Sequence, residues 1–347
     1  MKKSLLALAV LGAFAGVASA QSSVTLYGTV DLSAKYVKND GSARRYSLSQ
    51  DGINSSQLGF KGTEDLGGGL KAGFVLLAGV NADSGTTNAQ FFNRRATVSL
   101  MGGFGEVRLG RDYTPTFWNN TIFDAFGTNG LGDSSHVLQL PTATFVRANN
   151  SIGYFLPSGI GGVYGQFMAA AAEGGSGPSL YGTTVGNNPG RYIGGRIGFA
   201  AGPFDIAAAY AQQRFVTGAA EQKTWNIGGS YDLGVVKLMG YFDRDTVGSF
   251  RENRFSFSGV VPVGQGEIHA GYDRSKLTGG GVDNKADQWK VGYVYNLSKR
   301  TAVYTNVARL SNGSVSRLSV ASGSAITAAP TAGGKSTGAE FGVRHFF

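Results

Sequence analysis

Apolar and polar residues alternate with period two along most of this chain, the pattern of strands with one apolar face. In "VTLYGTVDLSAKY" one parity holds Leu26, Gly28, Val30, Leu32, Ala34 and Tyr36, the other Thr25, Tyr27, Thr29, Asp31, Ser33 and Lys35. "RFSFSGVV" sets Phe255, Phe257, Gly259 and Val261 against Arg254, Ser256 and Ser258. "FDIAAAY" and "WKVGYVY" repeat the theme, whereas "TAVYTNVARL" is ambiguous by parity. Tight turns stand at residues 65–71, 101–106, 158–162, 200–204, 232–236, 263–267 and 296–300. They alternate with longer polar connections such as "NADSGTTNAQ" and "GGSGPSLYGTTVGNNPG". Seven such turns among eight hairpins imply about sixteen strands, an even number. A soluble sandwich would not segregate short and long connections so regularly. Lipid offers no partner to an open sheet edge, so a lipid-facing sheet of this kind must close on itself.

Composition narrows the class. Cys is absent, which removes disulfides and thiolate metal sites. Gly is abundant at 55, Tyr and Phe number 15 and 22, and Pro only 8. Charged residues make up 15%, against roughly 25% in a typical soluble domain. "MKKSLLALAVLGAFAGVASA" has Lys2 and Lys3, an apolar run too short to span a bilayer, and Ala18-Ser19-Ala20 as a cleavage site. Residues 1–20 are therefore expected to be a removable secretory leader, with residues 21–347 as one domain. Losing the two lysines lowers the formal net charge from +9 to +7. The last strand, in "GAEFGVRHFF", alternates through Ala339, Phe341, Val343 and His345 to a terminal Phe347. That is the form read by the outer-membrane barrel assembly machinery.

In these stretches the chain resembles the general porins of Gram-negative outer membranes, particularly their basic, anion-preferring branch. The resemblance is carried by "SSVTLYGTVDLSAKY", "LGFKGTEDLGGGLKAGF", "RRATVSLMGGFGEVRLGRDYTPT", "RANNSIGYFLPSGIGG", "GYVYNLSKRTAVY" and "GVRHFF", in consistent order along the chain. It implies an all-β, sixteen-stranded antiparallel transmembrane barrel with short periplasmic turns and long extracellular loops. It also implies a homotrimer and a third loop folded into the pore.

The longest connection, residues 113–146, is of a length that is usually functional. Its Phe117, Trp118, Ile122, Phe123 and Phe126 are too apolar for a solvated loop and suit packing against an inner wall. The resemblance makes this the constriction loop, with Asp124 and Asp133 as its acids; turn capping is the competing role for both. Basic residues are expected opposite. With Ala96, Val98 and Leu100 outward, Arg95 faces the lumen. Arg94 has the other parity but sits at the loop end, where a long side chain can turn inward or reach the headgroups. An outward set of Val146, Ala148, Ile152, Tyr154 and Leu156 turns Arg147 inward. Arg108, Arg196, Lys35 and Lys61 are inward by parity, and Arg111 lies at the loop's root. Arg or Lys on the lipid face costs about 2–4 kcal/mol at the midplane, so the lumen is the cheaper place. A solvated rim is the other setting open to each. Gln57 is inward where the anion-preferring branch carries arginine. Val75 and Leu77 are inward and apolar where that branch often has acid.

The expected function is passive diffusion of small hydrophilic solutes and ions, anions favoured. The alternative, a substrate-specific channel for anionic or sugar solutes, would show aromatics beside a basic ladder. The strands' lumen parity is mostly Gly, Ala, Ser and Thr, which argues against it. An adhesin would need larger outer loops or an appended domain. Catalysis has little support: His136, His269 and His345 occupy unrelated settings, and a triad of His269, Asp273 and a serine lacks sequence context. "GGFGEVRLG" reads as a hairpin, without the helix a dinucleotide fold requires. No cofactor, metal or nucleic-acid partner is expected. The expected partners are like subunits, outer-membrane lipid and lipopolysaccharide at the outer rim.

Overall fold

A computed structural model describes residues 23–140, 146–171, 191–214 and 221–347. The predicted leader and the connection "GGSGPSLYGTTVGNNPG" lie outside the described residues. Sixteen strands form one closed antiparallel sheet. They are β1 (Ser23–Asn39), β2 in two pieces (Arg45–Gln50 and Gln57–Gly67), β3 (Leu70–Asn81), β4 (Arg95–Gly102) and β5 (Gly105–Tyr113). The wall continues with β6 (Arg147–Phe155), β7 (Val163–Ala170), β8 (Tyr192–Ala201), β9 (Phe204–Arg214) and β10 (Glu221–Asp232). It ends with β11 (Lys237–Val247), β12 (Phe250–Val263), β13 (Gly266–Gly279), β14 (Val282–Asn296), β15 (Thr301–Asn312) and β16 (Lys335–Phe346). A two-residue strand, Thr86–Thr87, adds a flap beside β3.

Each strand pairs with its neighbours in sequence, and β1 pairs with β16 from Thr29↔Phe346 to Asn39↔Ser336. Every edge is thereby paired, as an apolar solvent demands. Outward positions carry exposed Leu26, Val98, Ile152, Ile197, Trp289 and Phe341, while their alternates are covered inside the barrel. The inversion of ordinary globular packing follows from lipid being the solvent on one side.

All seven short turns fall between the strand pairs expected, at one end of the barrel. The other end is less uniform. Two of its connections, residues 248–249 and 280–281, are two-residue turns, and Gly280 and Gly281 both take left-handed φ (57° and 81°). That geometry matches strand twist, so the hairpins of β11–β14 continue as regular ladder where other strands give way to loops.

The "TAVYTNVARL" strand resolves with Ala302, Tyr304, Asn306, Ala308 and Leu310 inward. Its inner face is apolar because Ala308 and Leu310 pack with Leu131, Val137 and Val320 from loops folded inside.

Candidate pore lining

The connection between β5 and β6 folds into the barrel. Thr114 caps a short helix, α1 (Pro115–Ile122), by accepting from the Phe117 amide, with Pro115 at its first turn. Asn119 Nδ2 donates to the Ala207 carbonyl (3.1 Å) and Asn226 Oδ1 (2.8 Å). Phe123, wholly buried, packs on Ala207 and Tyr241. Further on, the Leu131 amide donates to Glu340 (3.2 Å), and those of Gln139 and Leu140 donate to Glu252 (2.9 and 2.8 Å). The His269 ring faces the Ala125 carbonyl at 2.8 Å. The loop's free backbone groups are thus met by inward side chains of β9–β16, which is how irregular backbone survives at membrane depth.

Between this loop and the wall of β1–β5 lies a cavity of about 1080 Å³. Arg94, Arg95 and Arg147 line it together, joined by Lys35, Gln57 and Asp133. Arg95 enters by strand parity and pairs with Asp112 (3.3 Å). Arg147 enters by another route. Opposite Arg111, β6 carries an extra residue at Asn149–Asn150, with Asn150 in left-handed backbone (φ 52°). This bulge reverses the phase, so Ala148, expected outward, is buried inside with Met168 and Tyr192. Arg147 turns inward instead as the first residue after the loop. It stacks over the Tyr113 ring (4.5 Å) and donates to its hydroxyl (3.1 Å). Lys35 faces the cavity but is paired with Glu340 (3.3 Å).

Five other residues expected at the constriction do not line this cavity. Arg108 is held between Glu106 (2.9 Å) and Asp112 (2.5 Å) and stacks on Phe155, its charge matched within the wall. Arg111 shares the outward face of Ala96 and Leu109 and is tied to the Asn93 carbonyl and Asn149. Arg196 points inward as a strut, donating to Asn119 of α1 and to Tyr164 (3.2 Å). Lys61 is exposed and lies over the ring of Tyr27, which lines the cavity, without lining it itself. Asp124 is buried: both its oxygens accept from Lys290 at 3.0 Å, so it locks the loop rather than meeting solute. Asp133 does both things considered for it, capping Ser135 (2.7 Å) and lining the cavity. Ile122, expected against the wall, is 39% exposed.

The strands' parity had no way to reveal two further acids and an aromatic group in the lining. Asp51 and Asp83 add acids to the lining. Tyr113, Phe117 and Trp118 form an aromatic group, with Tyr113 5.8 Å from Phe117 and 5.2 Å from Trp118. Inward acids such as Asp243, Asp245, Glu252 and Asp273 are buried with cation or loop-amide partners, out of a solute's reach. Their signal was charge at lumen parity. The sketched triad does not form: His269 faces Ala125 and Glu267 (3.3 Å), and Asp273 pairs with Lys290.

A closed, lipid-facing barrel with a water-filled interior narrowed by its own loop is a diffusion channel. The Gram-negative porin family matches residues 7–314, and the chain belongs to it. It is 41% identical to outer membrane porin protein 32 of Delftia acidovorans across the whole of both chains. It is 30% identical to an outer membrane porin protein of Bordetella pertussis, over 88% of this chain and 93% of that one. Among solved structures it is similar to an anion-selective porin from Comamonas acidovorans, with TM-score 0.85 and 38% identity over 94% of this chain and 100% of that one. The protein is an outer-membrane porin, with the fold of a channel-forming family.

Proposed function

We propose that this porin passes small hydrophilic solutes with a preference for anions, set by Arg94, Arg95 and Arg147. The supporting observation is their convergence on one wall of the cavity while the inward acids are mostly paired behind the loop. An anion about 4 Å from one guanidinium gains roughly 1 kcal/mol in water and about 4 kcal/mol at an effective dielectric of 20. Either exceeds thermal energy, so a cluster of three biases which ion enters. Asp51, Asp83 and Asp133 oppose this bias but are spread along the lining. Gln57 adds polarity without charge. The anion selectivity of the similar Comamonas porin supports the same reading. The reversal potential of the purified protein in a KCl gradient tests it: a sign reporting cation preference sinks the proposal.

The assembly is proposed as a homotrimer, made after export with residues 1–20 removed. The outward face of β1 carries Val24, Leu26, Val30, Leu32, Ala34 and Tyr36, with no charge before Lys38 at its loop end, which supports burying that side between copies. The opposite wall differs. Exposed Lys223, Arg251, Arg274, Lys276, Lys285 and Arg309 share it with Trp225, Phe255, Tyr272 and Trp289, and with Asp287 and Asp283, which pair with Arg274 (3.3 Å) and Lys276 (3.2 Å). A net-cationic, aromatic-rich outer face supports contact with lipopolysaccharide phosphates at the outer rim. Phe347, bonded to Gly28 through both backbone groups (3.1 Å), is proposed as the signal to the assembly machinery.

A further inference from the structure

The arginine cluster does not stand alone in the cavity. Tyr113 carries the Arg147 guanidinium against its ring and Trp118 beside it at 5.2 Å. Phe117 backs Tyr113 and is buried, whereas Trp118 is half-exposed, and both ring systems line the same cavity as the three arginines. Guanidinium, phenol and indole therefore form a continuous series, charge at one end and an open aromatic surface at the other. Thr114, the cap of α1, and Asn119, bonded to β9 and β10, hold the indole's helix against the wall. The aromatic surface is preformed.

We propose that this is a saturable binding site for aromatic carboxylates, with the carboxylate at Arg94, Arg95 and Arg147 and the ring on Trp118. This rests on the anion-preferring reading above and gives it a solute class. Small inorganic anions use only the charge. An aliphatic carboxylate of acetate's size cannot reach both ends, and a saturated ring lacks the quadrupole for offset stacking. The ring's platform, Trp118, comes from the loop, so the alternation of small residues along the strands does not bear on it.

The test uses the full protein in planar bilayers, with benzoate, cyclohexanecarboxylate and acetate as blockers of the chloride current. Benzoate is expected to reduce the current saturably, at a half-blocking concentration about fivefold below that of cyclohexanecarboxylate, the worth of one aromatic pair. Acetate should be weaker still. Trp118→Leu is expected to erase the difference between benzoate and cyclohexanecarboxylate, and Trp118→Phe to preserve most of it. A conducting, anion-preferring channel in both variants shows that the barrel still folds. Equal block by benzoate and cyclohexanecarboxylate in the native protein overturns the proposal, as does undiminished benzoate preference in Trp118→Leu. The native reversal potential separates the two readings. Cation preference there removes the charge reading beneath both, whereas anion preference without ring discrimination removes only this one.

Discussion

Lys290 on β14 holds Asp124 of the inward loop through both carboxylate oxygens at 3.0 Å, with neither side chain exposed to solvent. The same ammonium meets Asp273 at 3.0 Å and donates to the Gly132 carbonyl at 2.9 Å. One cation thus ties two points of the loop to two strands. Replacing one partner of a buried pair strands the other, at about 3–5 kcal/mol. Lys290→Met is expected to lower the unfolding free energy in urea by that order and to make single-channel currents noisier as the loop loosens. Asp124→Asn should cost less, because Asp273 still meets Lys290. Unchanged stability and quiet currents in Lys290→Met would show that the loop is held by its other contacts alone.

Asp112 is shared by Arg95 (3.3 Å) and Arg108 (2.5 Å). Only Arg95 also lines the cavity, so this carboxylate tempers the field that a solute meets. Asp112→Asn should increase anion preference, and Arg95→Gln should decrease it. Arg108→Gln should leave selectivity nearly as it is, since it removes a charge already matched in the wall. Reversal potentials at 0.1 M salt resolve these shifts; at about 1 M they shrink as the screening length falls to about 3 Å. An equal loss from Arg95→Gln and Arg108→Gln would contradict the division.

Strand phase and the seven short turns could be read from the chain because lipid permits only one face for each residue class. The charges were harder. Arg95 obeys strand alternation, but Arg147 reaches the cavity past a bulge at Asn149–Asn150 that no alternation reveals. Asp124 looks like a pore acid until its partner is known, and Lys290 lies 166 residues away. Arg108 and Arg196 do point inward, yet local carboxylates and Asn119 occupy them. Parity states the side of the wall, not whether a charge is free. The aromatic surface of Tyr113 and Trp118 was missed for a related reason: an aromatic-poor lumen was inferred from strands, while these rings lie at a strand end and on loop helix α1.

Gln57 lines the cavity near Arg94 and Arg95 without contributing charge. Gln57→Arg places a fourth guanidinium on that wall without needing to displace a buried side chain. Anion preference should rise, and more at low salt than at high, because the added term is electrostatic. The salt series of reversal potentials checks it; a rise independent of salt would point to altered pore width instead.

Barrel closure depends on a close approach at the last residue. A Cβ on Gly28 would lie 2.3 Å from the Phe347 ring and 2.5 Å from the Gln57 carbonyl. The ring can move, but the carbonyl belongs to the β1–β2 ladder and cannot. Gly28→Val should therefore cost about 1–3 kcal/mol through overpacking and reduce the fraction of folded barrel on heat-modifiability gels. Deleting Phe347 should slow assembly with a smaller effect on the stability of barrel already formed. Normal accumulation of both variants in the outer membrane would remove the terminal aromatic from the assembly argument.

His136 lies on the turn Ser134–Val137 of the loop and lines the cavity. Burial holds its imidazole below the ordinary range; Lys35 and Lys290 push the same way, while Asp133 and Glu340 oppose them. The folded chain thus takes up this proton less readily than the unfolded chain. Stability is lost as pH falls from about 6.5, the ordinary imidazole value, and the loss is complete below the folded value. Once bound, the proton adds positive charge to the lining. Anion preference should be flat from about pH 8 to 6.5 and climb only below. His136→Gln should keep the neutral-pH preference and flatten the first part of that climb below about pH 6.5. Reversal potentials across that window decide it: a climb already complete at neutral pH, or one that survives His136→Gln, assigns the proton to another group.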